Sequence, residues 1–244
     1  MTASPQQSSV VAVVLAAGLG KRIGVDIPKV MLEWRGRPLV RWVTEALHEA
    51  RIIRTIIVVG HRGEMIEAEY LGEPVDLVWQ HERLGTAHAV LQAEPELRDF
   101  AGQILVTLGD APRIRSTTIH NMVARHVETD AAATILTAVV PDPTGYGRVI
   151  ADAEGNVDRI VEHRDADDQI RKIREINSGM ICFRSEGLFN LLRRIGNDNE
   201  QEEYYLTDAI ALLRETGRKV IAWRADDPEE VLGVNTLEEL DALE

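Results

Sequence analysis

The sequence predicts an α/β fold, a mostly parallel sheet flanked by helices with a smaller antiparallel lobe at one end. Three observations predict it. Short runs rich in β-branched residues recur up to about position 140, segments with helical spacing separate them, and after Pro141 strands follow one another without helices between. Strands alternating with helices indicate βαβ units and a Rossmann-like parallel sheet.

The run over 10–15, Val-Val-Ala-Val-Val-Leu, is apolar at every position, as suits a central strand covered on both faces. It is far shorter than the roughly 20 residues a membrane span needs. Further strands are expected over 55–59, 75–79, 103–108 and 132–140, and helices over 39–50, 63–71, 86–93 and 116–128. Beyond Pro141, the segments 146–151, 157–161 and 174–183 read as strands, with Glu154-Gly155-Asn156 as a hairpin turn between the first two. They are expected to form an antiparallel layer over one end of the sheet, the second wall of a cleft. Helices return over 186–194 and 202–215, and 236–244 closes the chain. The expected organisation is a flexible tail over 1–9 and one domain over 10–244, with lobes of about 10–140 and 141–235.

The 244 residues, 45% apolar and 27% charged, suffice for one large α/β domain with a real core. A formal net charge of −13 argues against a nucleic-acid binder, which carries a basic face. A single cysteine, Cys182, excludes an internal disulfide and a thiolate metal cluster. The first nine residues are polar and uncharged, without the basic and apolar regions of a secretory signal, so a cytoplasmic protein without a membrane partner is expected.

The first strand runs into Gly18-Leu19-Gly20-Lys21-Arg22. A P-loop needs Ser or Thr after Gly-Lys and a glycine five places earlier, and Arg22 and Leu15 stand there instead. The dinucleotide fingerprint needs a third glycine at 23, where Ile23 stands. What remains is a glycine loop with three cations, Lys21, Arg22 and Lys29, in a strongly acidic chain. Glycines admit phosphate oxygens close to the backbone, Arg offers a planar fork and Lys a point charge. The alternative is a plain turn carrying solvated cations.

Other polar groups fall at strand ends, where open parallel sheets bind ligands. Asp110, after Gly109, is either a Mg²⁺ ligand or a helix N-cap ahead of Pro112. In the loop Gln80 to Ala89, Gln80 has an amide suited to a base edge, Gly85 permits close approach, and His88 reads as a packed residue. Two glycines around Tyr146 suit a tight bend against a ligand. Glu162 and Asn177 are polar amid apolar neighbours, either as ligands for sugar hydroxyls or as an exposed strand face. Asn235 is an N-cap or a metal ligand. His163-Arg164-Asp165 fails as a kinase loop because Ile170 stands where Asn is needed, and Asp165-Ala166-Asp167 reads as part of a solvated acidic run.

Taken in order, these pieces resemble the uridylyltransferase domain of bacterial bifunctional N-acetylglucosamine-1-phosphate uridyltransferases, over nearly the whole chain. The blocks are Leu15-Ala16-Ala17-Gly18 with Lys21-Arg22 and Pro28-Lys29-Val30, Leu84 to Ala89, Gly109-Asp110, Pro143 to Arg148, Ile160-Val161-Glu162, Glu175-Ile176-Asn177, Glu203 to Asp208 and Gly233-Val234-Asn235. The resemblance implies that Leu15, Ala16, Ala17, Gly18, Gln80, Gly85 and Thr86 line the nucleotide, UTP. It implies that Arg22 and Lys29 act on the triphosphate and the sugar-1-phosphate, and that Asp110 and Asn235 bind Mg²⁺. Gly147, Glu162 and Asn177, helped by Thr86, would hold the amino sugar. Two departures stand out. Bifunctional members continue into a hexapeptide-repeat acetyltransferase domain with its trimer, and neither is expected here. The family follows Gly-Asp-x-Pro with Leu, where this chain has Arg113.

Overall fold

A computed structural model describes residues 9–18, 27–152 and 156–243. Strand β1 (Val10–Ala16) leads to a small ribbon, β2 (Glu33–Trp34) and β3 (Arg37–Pro38), then to helix α1 (Leu39–Glu49). There follow β4 (Arg54–Val59), α2 (Gly63–Glu69), β5 (Val75–Trp79), α3 (Thr86–Leu91), α4 (Glu94–Leu97), β6 (Gln103–Leu108), α5 (Ser116–Glu128) and β7 (Ala133–Val139). The remaining elements are β8 (Arg148–Ala151), β9 (Val157–Val161), β10 (Glu175–Arg184), α6 (Leu188–Leu192), α7 (Asp208–Glu215), β11 (Val220–Arg224) and α8 (Leu237–Asp241).

The main sheet has the order β11-β7-β10-β6-β1-β4-β5. Strands β6, β1, β4 and β5 are parallel to one another, and β11 is parallel to β7. The alternation of side chains along β1 explains why it is apolar throughout. Val11 and Val13 enter one core with Ala87, Val90, Leu188, Leu192, Ala209 and Ile210, under α3, α6 and α7. Ala12 and Val14 enter the opposite core with Val40, Val43, Leu47, Ile66, Ile119 and Met122, under α1, α2 and α5. Both faces of β1 are covered by apolar side chains, which is why it carries no polar residue. The α1 apolar positions Val40, Val43, Ala46 and Leu47 recur at helical spacing and point at that second core, while Leu39 joins a smaller cluster with Leu32, Trp34, Val234 and Leu243. Among the described residues, no helix is long and apolar enough to cross a membrane.

The antiparallel part is continuous with the main sheet rather than a separate layer over it. The long β10 inserts between β6 and β7, antiparallel to both, while β8 branches from it at Arg148 and β9 pairs with β8. A register shift between Asn177 and Ile181 allows β10 to bend from the core toward the cleft. The helix expected over 202–215 begins only at Asp208. The preceding residues are not helical, because the Tyr204 backbone bonds Leu84 and Ala87 in the nucleotide-side loop instead (2.7 and 2.9 Å). Strand β11 and the β2–β3 ribbon lie where no element was expected. The hairpin turn at 154–156 and the tail at 1–9 fall almost wholly outside the described residues.

Candidate active site

The site lies at the carboxyl ends of β1 and β6, where β1 is flanked by β4 on one side and β6 on the other. Connections leave such a junction in opposite directions and open a crevice. Leu15, half-buried in β1, accepts the Gly109 amide through its carbonyl (3.1 Å), which stitches the two loops together. Ala16 and Ala17 are buried, with the Gly60 backbone so close that a Cβ there would sit 2.9 Å from the Ala17 Cβ. Gly18 is exposed, with open space where a side chain would be. Arg22, with Lys21 and Gly20, lies outside the described residues.

Three of the expected residues converge from distant parts of the chain. The Lys29 ammonium pairs with Oδ2 of Asp110 and donates to Oδ1 of Asn235 (3.2 Å). Asp110 is 5% exposed, and its Oδ1 is buried without a hydrogen-bond partner among the described residues. The Val234 amide donates to the Asp110 carbonyl (2.9 Å), so the Gly233-Val234-Asn235 segment is fastened against the acid. A Cβ on Gly233 would come within 3.1 Å of the orphaned Oδ1. Neither cap reading survives. Helix α5 starts at Ser116, well past Asp110, and α8 is capped by Thr236, whose hydroxyl accepts the Glu239 amide (3.1 Å).

Mg²⁺ fits this donor set. One carboxylate with an unbonded oxygen and one amide oxygen make an incomplete shell, as suits an ion that keeps its waters and takes the rest of its ligands from phosphates. Among the described residues no cluster of three or more His, Cys, Asp or Glu could hold a metal unaided.

On the nucleotide side, Gln80 follows β5 and is buried. Its amide nitrogen donates to the Gly85 carbonyl (3.1 Å) and meets Nδ1 of His88 (3.0 Å), so any base contact falls to its oxygen. His88 is half-buried and bridges two glutamines, with Gln92 on its other nitrogen (3.3 Å). Gly85 has φ +115°, and a Cβ there would strike the Tyr204 carbonyl oxygen at 2.5 Å. The Thr86 hydroxyl accepts the Leu206 amide (2.8 Å).

Gly147, Glu162 and Asn177 are brought together on the antiparallel side. A Cβ on Gly147 would lie 3.3 Å from both Glu162 carboxylate oxygens, and the Gly147 carbonyl accepts the Asn177 amide (2.9 Å). Oδ1 of Asn177 accepts the Gly179 amide (3.1 Å). Burial pushes the Glu162 carboxyl above its ordinary range; a bond from Thr207 pulls it back, Asp208 and Asp165 push it further up, and Arg148 opposes them. Arg148 is itself fully buried, bonding the Tyr146 carbonyl and Nδ1 of His163.

Sequence reasoning missed Thr207 and Arg148 as partners of this group, although both stand inside motif blocks it had marked. Arg113 is turned away from Lys29 and Asp110. It donates to Glu229 (2.8 Å) and to the Leu243 carbonyl (2.9 Å), beside a cavity of about 370 Å³ that none of the candidate residues lines. Asp167 is occupied capping a local turn through the Gln169 and Ile170 amides, which fits its reading as part of a solvated run.

A mostly parallel sheet with Lys29, Asp110 and Asn235 gathered beyond the carboxyl ends of β1 and β6 is an arrangement suited to handling phosphates beside a divalent cation. The chain belongs to the MobA-like NTP transferase domain family, whose model matches residues 12–177. Among curated proteins it is similar to the bifunctional protein GlmU of Brevibacillus brevis, with 46% identity over 228 residues, covering 93% of this chain and 49% of that protein. The bifunctional protein GlmU of Listeria welshimeri is 45% identical over 224 residues, covering 92% and 49%. The chain thus spans about half the length of these relatives, and the resemblance carried by the motifs is borne out. In fold it is similar to a crystal structure of UDP-glucose pyrophosphorylase complexed with UDP-glucose, at a TM-score of 0.78 and 17% identity, covering 96% of this chain and 98% of that one.

Proposed function

We propose that the chain is a Mg²⁺-dependent sugar-1-phosphate uridylyltransferase that joins UTP to N-acetylglucosamine-1-phosphate, giving UDP-N-acetylglucosamine and pyrophosphate. The observation that carries this reading is the Lys29–Asp110–Asn235 cluster at the ends of β1 and β6, in a molecule that also gathers a carboxylate, Glu162, and an amide, Asn177, about Gly147 on the antiparallel side. A domain that only sensed a nucleotide sugar would have no use for a cation and a metal shell side by side.

In this reading a phosphate oxygen of the sugar-1-phosphate attacks the α-phosphorus of UTP in line, a new P–O bond forms, and the bond to pyrophosphate breaks. The nucleophile is already largely ionised near neutral pH, because a phosphomonoester loses its second proton at about pH 6. No general base is needed. The work lies in holding two polyanions together and neutralising charge on the group that leaves. Lys29 supplies a cation for the phosphates, and Arg22 a second. Asp110 and Asn235 would hold Mg²⁺, which when bound supplies further charge neutralisation along the phosphates. Gln80 and Gly85 shape the base pocket, with the glutamine oxygen as acceptor for a base N–H. Glu162 and Asn177 hold sugar hydroxyls, with Gly147 keeping the backbone low beneath the ring.

The proposed lobes, a nucleotide part over about 10–140 and a sugar part over about 141–235, follow from this division of labour. The test is a matrix of sugar-1-phosphates against the four nucleoside triphosphates, read as pyrophosphate release with and without Mg²⁺. The expected result is the highest kcat/KM for UTP with N-acetylglucosamine-1-phosphate. Preference for dTTP or for glucose-1-phosphate would move the assignment to another pair within the same class.

A further inference from the structure

The residues before α7 carry an anomaly. Thr207 occupies the N-cap position of that helix, where a threonine hydroxyl ordinarily accepts a backbone amide. Here it makes no such cap bond. Its hydroxyl, in a residue 6% exposed, donates instead to Oε1 of Glu162 (3.0 Å). The same short segment is fastened on its other side to the nucleotide loop. The Tyr204 amide donates to Leu84, the Tyr204 carbonyl accepts from Ala87, and the Leu206 amide donates to the Thr86 hydroxyl (2.7, 2.9 and 2.8 Å).

We propose that Thr207 is a positioning residue for the sugar site, holding Glu162 by one carboxylate oxygen so that the other faces the sugar. The proposal rests on the reading of Glu162 as a sugar ligand. Thr207 touches no reacting atom and acts through Glu162 alone. Because residues 204–207 are also pinned to the loop over 84–87, the acid that receives the sugar is set relative to the pocket that receives the base. A carboxylate anchored at one oxygen presents the other in a fixed direction and receives hydroxyls from a narrower range of positions than a free one, which makes it selective.

A protonation readout follows from the groups around Glu162. Arg148 from β8, Asp165 from the turn after β9, and Tyr205 and Asp208 from the segment leading into α7 all act on it electrostatically. Thr207 and Arg148 favour the carboxylate; burial and the two aspartates oppose it. Removing the hydroxyl therefore moves the carboxyl further upward. The acid limb of kcat/KM for the sugar phosphate should shift to higher pH, and the substrate's own titration cancels because it is common to every variant.

The experiment compares wild type, Thr207→Val, Thr207→Ser, Glu162→Gln and the double variant Glu162→Gln/Thr207→Val, with UTP and N-acetylglucosamine-1-phosphate as substrates. Thr207→Val is expected to raise KM for the sugar phosphate about tenfold, the effect of losing a hydrogen bond to a charged group. KM for UTP should stay within about twofold, the acid limb should move upward, and Thr207→Ser should restore wild-type behaviour. In the double variant the valine should add little, since the two residues act as one unit. A wild-type sugar KM in Thr207→Val, alongside a clear effect of Glu162→Gln, overturns the proposal alone. An unchanged sugar KM in Glu162→Gln overturns the sugar role of Glu162 and the proposal with it. Equal loss of kcat and of both KM values in the valine and serine variants, with lowered Tm, marks Thr207 as a packing residue and also overturns it. Should Thr207→Val fail to fold, Thr207→Cys replaces it under the same criteria.

Discussion

Lys29 and Asp110 form an ion pair through Oδ2 of the carboxylate, leaving Oδ1 buried and, among the described residues, without a hydrogen-bond partner. An unsatisfied buried carboxylate oxygen is costly, and a native site retains one where a ligand completes it. The first prediction follows. Pyrophosphate release should vanish in EDTA and return with Mg²⁺, and Asp110→Asn should lose on the order of 10²-fold in kcat. Full turnover in chelator, or a near-normal Asp110→Asn enzyme, would leave the aspartate as a mere partner for Lys29.

Lys29 and Asn177 should fail differently. A cation on the phosphates matters most while charge redistributes, so Lys29→Ala should depress kcat. Asn177→Ala should raise KM for the sugar phosphate and leave KM for UTP nearly unchanged. Steady-state kinetics with each substrate varied separately checks the pair. A shared pattern for both variants would reject the division into phosphate and sugar roles.

Gly85 offers a steric test. With φ at +115° and the Tyr204 backbone 2.5 Å from where a Cβ would be, Gly85→Ala must either strain the loop or push the 204–207 segment away. The expected cost is roughly 3 kcal/mol of stability. Since 1 kcal/mol is about 2–4 °C in a domain of this size, Tm should fall on the order of 10 °C, with a raised KM for UTP. Calorimetry showing an unchanged Tm would mean that the loop adapts at no cost.

His126 predicts a pH dependence away from the site. Burial, and secondarily Arg184, push its imidazole down to about 4, while its nitrogens meet Thr134 (2.8 Å) and Gln103 (2.9 Å). The folded pKa is depressed below the unfolded value, so the unfolded chain binds the extra proton first. The stabilisation is complete above about pH 6.5 and is lost as the pH falls toward 4, by roughly 2 kcal/mol between pH 6.5 and 5. Urea midpoints for wild type and His126→Gln at those two pH values test it. The same loss in both proteins would assign the effect to other groups.

The parallel core was legible because its strands carry their own signal: β5, β6 and α5 match the residues that apolar runs and helical spacing indicate. The run over 220–224, Val-Ile-Ala-Trp-Arg, had the same signal in shorter form and was passed over beside the acidic stretch that follows it. The 202–207 segment misled for another reason. Its residues are compatible with a helix, and the distant Leu84 to Ala87 backbone, together with Asn199 bonding the Glu203 backbone, decides otherwise. Asp110 and Asn235 were readable as candidates from their places at element ends, but their cap alternatives could be dismissed only once Ser116 and Thr236 were seen to start the helices. Thr207 stands in a motif block, but its link to Glu162 has no local signal, because it falls inside the helix expected over 202–215 and the acid lies 45 residues away.

The bond between Lys29 and Asn235 joins positions 206 residues apart. A chain growing from its amino terminus therefore carries the glycine loop, the lysine and the aspartate long before the asparagine exists. During synthesis the half-built pocket has its charges but not its closing wall, and Gly233 and Val234 are not yet there to fasten Asp110. Closure of the cluster is thus a late event in the making of each molecule, waiting on a segment translated after β11, and a ribosome that stalls before it leaves Lys29 and Asp110 without the asparagine that joins them.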